Sequence, residues 1–167
     1  MPKSEQGVFL DRYQVIPRTL IFVTRGERVL LLKGAPTKRL WANRYNGIGG
    51  HVEKSEDVLT AAERELKEET GLTTAGLRLC GTLIVDTGEQ VGIAIFILKG
   101  EYVSGEIKPS PEGIPTWVTM SQLAELPLVE DLSELLPRVM NMSVNAPPFF
   151  ARSFYDDADK LQVVVRG

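Results

Sequence analysis

The sequence of 167 residues is long enough for one domain with a sizeable hydrophobic core, and we predict a single domain over residues 1–167. Hydrophobic residues make up 43% of it and charged residues 25%, values that are typical of globular proteins and exclude wholesale disorder. The formal net charge of −3 excludes the overall basic field of a protein that binds long nucleic acid or an anionic membrane.

The cysteine content and the apolar segments indicate a compartment. Cys80 is the only cysteine, which excludes a disulfide within the chain and fits a reducing environment. The first residues, MPKSEQG, lack the apolar segment of a signal peptide, and the longest apolar run, VGIAIFIL, is too short to span a bilayer. We therefore expect a cytoplasmic protein with no membrane partner.

The first elements in the chain form a predicted β-hairpin. Residues 19–24 and 28–34 are rich in apolar and β-branched side chains, and a glycine-centred turn separates them. A basic, irregular segment follows, APTKRLWANRYNGIGG. Its glycines at positions 47, 49 and 50 predict a turn at which the backbone approaches another group closely.

The next segment predicts an α-helix. Ser55 is placed to cap its amino end, and Gly71 is placed just beyond its carboxyl end. Leu59, Ala62 and Leu66 recur at helical spacing and form the predicted buried stripe. The helix should therefore pack on the rest of the fold through these three side chains.

The remainder of the chain alternates between predicted strands and short helices. Strands are predicted at residues 77–87 and 90–102 and around Trp117, short helices at 121–126 and 131–140, and a closing hairpin at 149–166. Hairpins outnumber strand–helix–strand units in this order. We therefore predict an α/β (α+β) fold in which helices pack on a mixed β-sheet.

Three glutamates on the predicted helix point to a possible metal site. Glu65, Glu68 and Glu69 are neighbours on the helix surface, where like charges destabilise a helix by roughly 0.2–0.5 kcal/mol per pair. Carboxylates gathered in this way suit Mg²⁺ or Mn²⁺, and a carbonyl of the glycine turn would add an oxygen ligand. Arg64, four residues before Glu68, is placed to steady that carboxylate. The charge pattern alone favours the alternative, a solvated helix face on which neighbouring bases offset the repulsion.

These residues resemble a known motif, the Nudix box GX5EX7REUXEEXGU, in which U is a bulky aliphatic residue. Residues 50–72 match each of its specified positions, namely Gly50, Glu56, Arg64, Glu65, Leu66, Glu68, Glu69, Gly71 and Leu72. The order of predicted elements is also similar to that of Nudix hydrolases across most of the chain. The resemblance implies a single Nudix domain over residues 1–167, folded as an α/β/α sandwich with a mixed sheet.

The same resemblance implies a chemistry. Nudix hydrolases cleave a diphosphate bond in a nucleoside diphosphate that is linked to another group, with Mg²⁺ as the cofactor. Carried over by position, the implied metal ligands are Glu65, Glu68, Glu69 and the Gly49 carbonyl, and the residues implied to orient them are Glu56 and Arg64.

Glu112 is a further candidate for the catalytic site. It lies in the loop sequence KPSPEGIP, ahead of Trp117, and Nudix enzymes often place an additional metal-binding or basic glutamate there. The alternative is an exposed loop acid. Glu65, Glu69 and Glu112 are thus the candidates for the general base that deprotonates the attacking water.

The stretch before the box, LWANRYNGIGGHVE, resembles the MutT-like branch of the family, the oxidised-purine nucleoside triphosphatases that act on 8-oxo-dGTP. Asn46 matches an asparagine that hydrogen-bonds the purine in that branch, and an amide offers a base both a donor and an acceptor. Alternatively, Asn46 begins an Asn-Gly turn and adopts a positive φ.

A second base-reading acid of that branch falls near Asp131. The local sequence D-L-S-E instead favours a helix capping box between Asp131 and Glu134. The run LVEDLSEL also departs from the Trp-Pro-Asp-Asp run of the branch, which weakens the resemblance at the base-binding position.

Basic and aromatic residues near the box are candidates for further substrate contacts. The candidates are Lys33 for a phosphate, Lys38, Arg39 and Arg44 for general attraction of the anion, Trp41 for stacking on a base, and His51 after the glycines. The alternatives are a solvated basic loop, a hydrophobic anchor for that loop and an exposed histidine.

The predicted function is therefore Mg²⁺-dependent hydrolysis of a nucleoside triphosphate, such as 8-oxo-dGTP, to the nucleoside monophosphate and pyrophosphate, with Mn²⁺ as a second suitable metal. Its partner is a small nucleotide. One alternative keeps the chemistry and changes the substrate to ADP-ribose, a dinucleotide or an isoprenoid diphosphate. Another is a catalytically inactive ligand-sensing domain. The sequence does not specify an oligomeric state.

Overall fold

The computed structural model describes residue 2 and residues 5–167. Within them the strands are β1 (Gln14–Arg25), β2 (Arg28–Gly34), β3 (Tyr45–Asn46), β4 (Thr73–Val85), β5 (Val91–Ser104), β6 (Gly113–Thr119), β7 (Phe149–Tyr155) and β8 (Leu161–Arg166). The helices are α1 (Val58–Thr70), α2 (Leu132–Asn141) and a short 3-10 helix (Met120–Glu125).

The strands form one mixed sheet in the order β3-β2-β1-β5-β4-β7-β8, with β6 paired to β2. β1 runs parallel to β5, and β4 runs parallel to β7, whereas the other pairs are antiparallel. The predicted mixed sheet is confirmed. The closing hairpin is also confirmed, because β7 and β8 pair across a turn at residues 156–159.

The two faces of the sheet are buried against different helices. On β1, Leu20 and Phe22 point toward the core that contains α2, while Ile21 and Val23 point toward the core that contains α1. Side chains alternate between the faces of a strand, so one apolar strand supplies both cores. Burying an aliphatic or aromatic side chain of this size contributes about 1.5–3 kcal/mol. The α/β/α sandwich is confirmed.

The ends of α1 are set by two residues. Asp57 caps its amino end, and the Asp57 Oδ1 accepts hydrogen bonds from the backbone N–H groups of Leu59 at 2.8 Å and Thr60 at 2.9 Å. The predicted capping by Ser55 is wrong, because Ser55 lies in the preceding turn with a φ of 75°. Gly71 ends the helix in the left-handed conformation, as predicted.

The buried face of α1 differs in part from the predicted stripe. Ala62 and Leu66 are buried as expected, together with Ala61. Leu59, however, is 44% exposed, so its place in the stripe is wrong. Val58, one position earlier, packs against the core that contains Ala62 and Leu66, so the buried face of α1 includes Val58 rather than Leu59.

The start of α2 corrects a second prediction. Asp131 occupies the N-cap position, yet within the described chain its side chain makes no capping hydrogen bond. The backbone N–H of Glu134 bonds to the Asp131 carbonyl instead, at 3.2 Å. The predicted capping box is therefore wrong.

In the part of the chain that the structure describes, no helix is long and apolar enough to cross a membrane.

Candidate active site

The glycine turn takes the place of a strand beside β1. β2 pairs with β1 only at residues 24–25 and 28–29, and beyond them the turn pairs with β1. The Thr19 N–H donates to the Gly50 carbonyl at 2.8 Å, and the Ile21 N–H donates to the Ile48 carbonyl at 2.7 Å. This places the turn between β1 and the carboxylates of α1.

Two glycines of this turn lie in close contact with neighbouring groups. Gly49 has a φ of 145°, and a Cβ on it would overlap the Thr19 carbonyl. A Cβ on Gly50 would overlap the Glu65 carboxylate. The close approach predicted from the sequence is thus an approach of backbone to β1 on one side and to a glutamate on the other.

Arg64 organises the acids of α1. Its Nε and Nη2 donate to the two oxygens of Glu56, at 2.7 and 3.0 Å. Its Nη1 donates to Glu65 at 2.8 Å and to Glu68 at 3.3 Å, and Nη2 also reaches the His51 carbonyl at 3.1 Å. The hydrogen bonds from Arg64 are the main cause of a lowered pKa for Glu56. One guanidinium therefore orients two of the three glutamates and ties them to the glycine turn.

Glu69 is the most deeply buried of the three glutamates. Its side chain accepts a hydrogen bond from the Gly49 N–H at 3.0 Å, and the residue is 6% exposed. Burial raises the pKa of Glu69 to about 7, and the hydrogen bond from Gly49 only partly opposes this. A buried carboxylate of this kind is stabilised in its charged form by a cation.

The residues present fit a divalent metal, although they do not form a closed ligand cluster. Among the described residues, no three acidic, histidine or cysteine side chains are grouped closely enough to hold an ion as they stand. Arg64 and the Gly49 N–H hold the glutamates instead. The donors in reach are carboxylate and carbonyl oxygens, which are the ligands of Mg²⁺ and Mn²⁺. In the described chain the Gly49 carbonyl accepts no hydrogen bond, whereas the carbonyls on either side of it bond to β1.

The carboxylates open into a cleft of about 480 Å³, which we call the carboxylate cavity. It is lined by Arg18, Thr19, Leu20, Lys38, Trp41, Asn46, Gly47, Gly49, Gly50, His51, Glu65, Glu68, Glu69, Ile95, Ser110, Pro111 and Glu112. Most of the predicted site residues are thus brought together. Lys38 and Glu112, which both line this cavity, form an ion pair at 2.6 Å.

A second cavity of about 210 Å³ adjoins the first, and we call it the apolar cavity. It is lined by Arg18, Leu20, Trp41, Arg44, Asn46, Val85, Ile93, Ile95, Val129, Glu130, Asp131, Ser153, Tyr155 and Leu161. Five of these residues also line the carboxylate cavity, namely Arg18, Leu20, Trp41, Asn46 and Ile95. The two cavities therefore form one continuous groove with an acidic end and a largely apolar end.

Asn46 lies where the two cavities meet. It belongs to β3 and pairs with Leu32, so the alternative of an Asn-Gly turn with a positive φ at Asn46 is wrong. The Asn46 Oδ1 accepts a hydrogen bond from the Gly47 N–H at 2.8 Å. This bond orients the side chain and leaves the amide NH₂ to donate into the groove.

Asp131 lines the apolar cavity next to Glu130. Burial raises the pKa of the Asp131 carboxyl above its usual range, which favours the protonated form. A protonated carboxyl both donates and accepts hydrogen bonds. Asp131, for which the sequence pattern favoured a helix-capping role, thus lines the cavity instead.

The basic candidates separate into two groups. Lys38 and Arg44 line the groove. Trp41 lines both cavities, and its backbone has a φ of 59°. Lys33 lies outside the described lining of the groove, with its Nζ 5.9 Å from the centre of the Tyr45 ring. Arg39 lines a shallow surface depression beside the carboxylate cavity.

Arg18 and Ser153 are among the polar residues of the groove that sequence analysis missed. Arg18, on β1, lines both cavities, and its Nε donates to the His51 Nε2 at 3.2 Å. Burial lowers the pKa of Arg18. Ser153, on β7, lines the apolar cavity and is buried. Neither residue belongs to a motif. The only sequence signal that could have indicated either of them was a polar residue on the inward face of an apolar strand.

Comparison with known proteins identifies the family. A sequence model of the NUDIX domain matches residues 15–139. An oxidized purine nucleoside triphosphate hydrolase of Mus musculus is 32% identical over 123 residues, which cover 73% of this chain and 78% of that protein. The protein of the same description from Danio rerio is 34% identical over 106 residues, covering 63% and 67%.

A NAD-capped RNA hydrolase NudC of Pseudomonas aeruginosa is 31% identical over 122 residues. They cover 72% of this chain but 42% of NudC, so the chain spans less than half the length of that relative.

Solved structures agree with this assignment at the level of the fold. The crystal structure of a mutator MutT protein from Bacillus halodurans superimposes with a TM-score of 0.76 at 24% identity, covering 90% of this chain and 97% of that one. The NUDIX domain of NrtR from Shewanella oneidensis, crystallised with ADP ribose, gives a TM-score of 0.65 at 12% identity, covering 84% and 97%. Together with the family match and the intact box, these findings show that the chain belongs to the Nudix family of hydrolases.

Proposed function

We propose that this protein hydrolyses purine nucleoside triphosphates, preferably with an oxidised base, to the nucleoside monophosphate and pyrophosphate. One observation carries the proposal. The carboxylate cavity continues directly into the apolar cavity, and Asn46 lies at their junction. A triphosphate in the first cavity would therefore place its base in the second. The relatives named as oxidized purine nucleoside triphosphate hydrolases support the same substrate class.

The carboxylate cavity would hold the phosphates and the metal. Mg²⁺, or Mn²⁺ in its place, would be held by Glu65, Glu68, Glu69, Glu112 and the Gly49 carbonyl. When bound, the metal supplies Lewis-acid stabilisation of the charge that develops on the phosphate oxygens. Arg64 would keep the carboxylates in place through its bonds to Glu56, Glu65 and Glu68.

The general base would be one of three carboxylates in the same cavity, namely Glu65, Glu69 and Glu112. Each is held differently. Arg64 binds Glu65, the Gly49 N–H binds Glu69, and Lys38 binds Glu112. A glutamine substitution at the true base should remove the acidic limb of the pH–rate profile, while substitution of a carboxylate that only positions ligands should lower the rate across the profile.

The base would be read by polar groups that surround the apolar cavity. The Asn46 NH₂ donates to a base acceptor, and a protonated Asp131 serves as donor and acceptor. Trp41 is placed to stack on the base. Arg18 and Lys38 would attract the phosphates between the two ends, whereas Lys33 would act on the phosphates only at longer range.

The test is a panel of substrates measured with Mg²⁺. We expect oxidised purine triphosphates to give the highest kcat/KM, with monophosphate and pyrophosphate as products. Asn46→Ala should lower kcat/KM for purine triphosphates by about tenfold while the melting temperature changes little. Equal rates for all nucleotides, or release of orthophosphate, would contradict the proposal.

A second substrate class has support from the comparisons. NudC is named as a hydrolase of NAD-capped RNA, and the NrtR domain was crystallised with ADP ribose. The same panel therefore includes ADP-ribose and a dinucleotide, and preferred turnover of either would replace the triphosphate assignment. An inactive sensing domain would hydrolyse none of them.

We place the activity in the cytoplasm, because the single buried cysteine suits a reducing compartment.

A further inference from the structure

Ser153 has an unusual position in the apolar cavity. In β7 buried and exposed residues alternate, and Ser153 lies on the buried face with Phe149 and Ala151. It pairs with Val85 of β4 and Val163 of β8, so apolar residues flank it on both neighbouring strands. The residue is 1% exposed, and it lines the cavity.

The hydroxyl of Ser153 has no hydrogen-bond partner within the described protein. Within the described residues its Oγ is buried without a hydrogen-bond partner, and it is the only side-chain nitrogen or oxygen found in that state there. A buried hydroxyl without a protein partner costs free energy relative to an apolar side chain of the same size. Alanine would fill the same space without that penalty. A polar group kept in such a position is typical of a site that a ligand completes.

The sheet order shows which part of a nucleotide would reach Ser153. From β1, which carries Leu20, the strand order is β5, β4 and then β7, so Ser153 lies three strand spacings away, or about 14 Å. Asn46 and the carboxylates lie at the near end of the groove. A nucleotide with its phosphates among the carboxylates therefore points the far edge of its base toward β7.

The position of this far edge differs between purines and pyrimidines. In a purine the six-membered ring lies away from the nitrogen that carries the sugar, and its edge bears ring nitrogens and exocyclic groups. A pyrimidine has one ring less and ends sooner. A serine hydroxyl can rotate to donate or to accept, so it suits any purine edge and does not select among them.

We propose that the Ser153 hydroxyl hydrogen-bonds the six-membered-ring edge of a purine in the apolar cavity and contributes to the preference for purine over pyrimidine nucleotides. This inference rests on the proposed function. It assigns Ser153 a part distinct from that of Asn46 and Asp131. Only a purine is long enough to reach Ser153, whereas the other two residues bind functional groups of the base.

The test compares Ser153→Ala with Ser104→Ala, an exposed serine at the end of β5 that serves as the matched control. Ser153→Ala should weaken GMP binding and lower kcat/KM for purine triphosphates by about five- to tenfold, while CMP binding and pyrimidine turnover stay within about twofold. The melting temperature of the ligand-free protein should rise by roughly 2–4 °C, because the orphaned hydroxyl is gone. The control should change none of these.

Other outcomes would overturn the inference. Equal losses for purines and pyrimidines would mean that Ser153 only supports the strand, and a lower melting temperature would mean that the hydroxyl is already bonded in the free protein. A Ser153→Cys variant, which keeps the side-chain shape and a weak donor, should fall between serine and alanine in GMP binding. If the wild-type protein neither binds purine monophosphates nor hydrolyses triphosphates, the proposed function itself fails, and this is seen before any variant is made.

Discussion

The two cavities of the groove differ in how their polar groups are held. In the carboxylate cavity each acid has a partner within the protein, because Arg64 holds two glutamates, the Gly49 N–H holds Glu69 and Lys38 holds Glu112. In the apolar cavity the Ser153 hydroxyl has no partner among the described residues. The first cavity is organised before ligand binds, and we propose that the second is completed by the ligand.

This difference has a physical reason. Like charges that meet around a cation must be held apart and oriented when the cation is away, and this requires an arginine and backbone donors. A base brings its own donors and acceptors, so polar groups that are left open in an apolar cavity gain most from binding it. Variants in the two cavities should therefore behave differently in stability as well as in activity.

The largest expected effect lies in the carboxylate cavity. Glu69→Gln should lower kcat by about 10³-fold, because an amide is a much poorer ligand for a hard cation than a carboxylate. The backbone bond from Gly49 can still form, so the fold should remain intact. Glu63→Gln, on the exposed side of the same helix, is the matched control. Undiminished turnover of Glu69→Gln would remove α1 from the mechanism.

Arg64→Lys should have the next largest effect. Lysine keeps the positive charge but cannot bind Glu56 with two parallel hydrogen bonds while also reaching Glu65. We expect kcat/KM to fall by about 10- to 100-fold and the apparent Mg²⁺ affinity to fall with it. Lys67→Gln on the same helix should leave both unchanged. A variant with normal metal affinity would show that Arg64 does not prearrange the acids.

In the apolar cavity, Asp131→Asn should lower kcat/KM for purine triphosphates by about tenfold. Burial raises the pKa of Asp131, so its contribution to stability is present at low pH and is lost as the pH rises through the raised pKa. Asparagine does not ionise. The variant should therefore melt at or above the wild-type temperature at neutral pH, as measured by calorimetry across pH, and a lower melting temperature would contradict this account.

The metal-free protein offers an effect on stability alone. The pKa of Glu69 is raised from 4.5 to about 7, so its stabilising contribution is complete below pH 4.5 and is lost as the pH rises through about 7. With metal chelated at pH 8, Glu69→Gln should be more stable than wild type by about 2 kcal/mol. Adding Mg²⁺ should raise the melting temperature of the wild type and not that of the variant. Identical pH profiles for the two proteins would contradict the shift.

The sequence predicted the acids and the glycine turn of the carboxylate cavity. The acids of the box lie within one helix, so their spacing alone places them on neighbouring positions of its surface. The glycine positions likewise predicted a close approach of the backbone, and the structure shows what is approached. The exact cap and buried face of α1 were less predictable. Ser55 and Asp57 are both good caps, and only the packing of the helix on the sheet selects Asp57 and leaves Leu59 exposed.

What the sequence by itself determined is therefore the family, the mixed sheet with its helices, and the group of acids on α1, because the box lies within one short stretch of chain and the strands and helices are recognised from local patterns of residues. Only the tertiary structure decided the apolar cavity. Asn46, Asp131 and Ser153 come from three distant elements, and Arg18 from a fourth. Which face of a strand or loop is turned inward depends on strand order and register, and these follow from packing over the whole sheet.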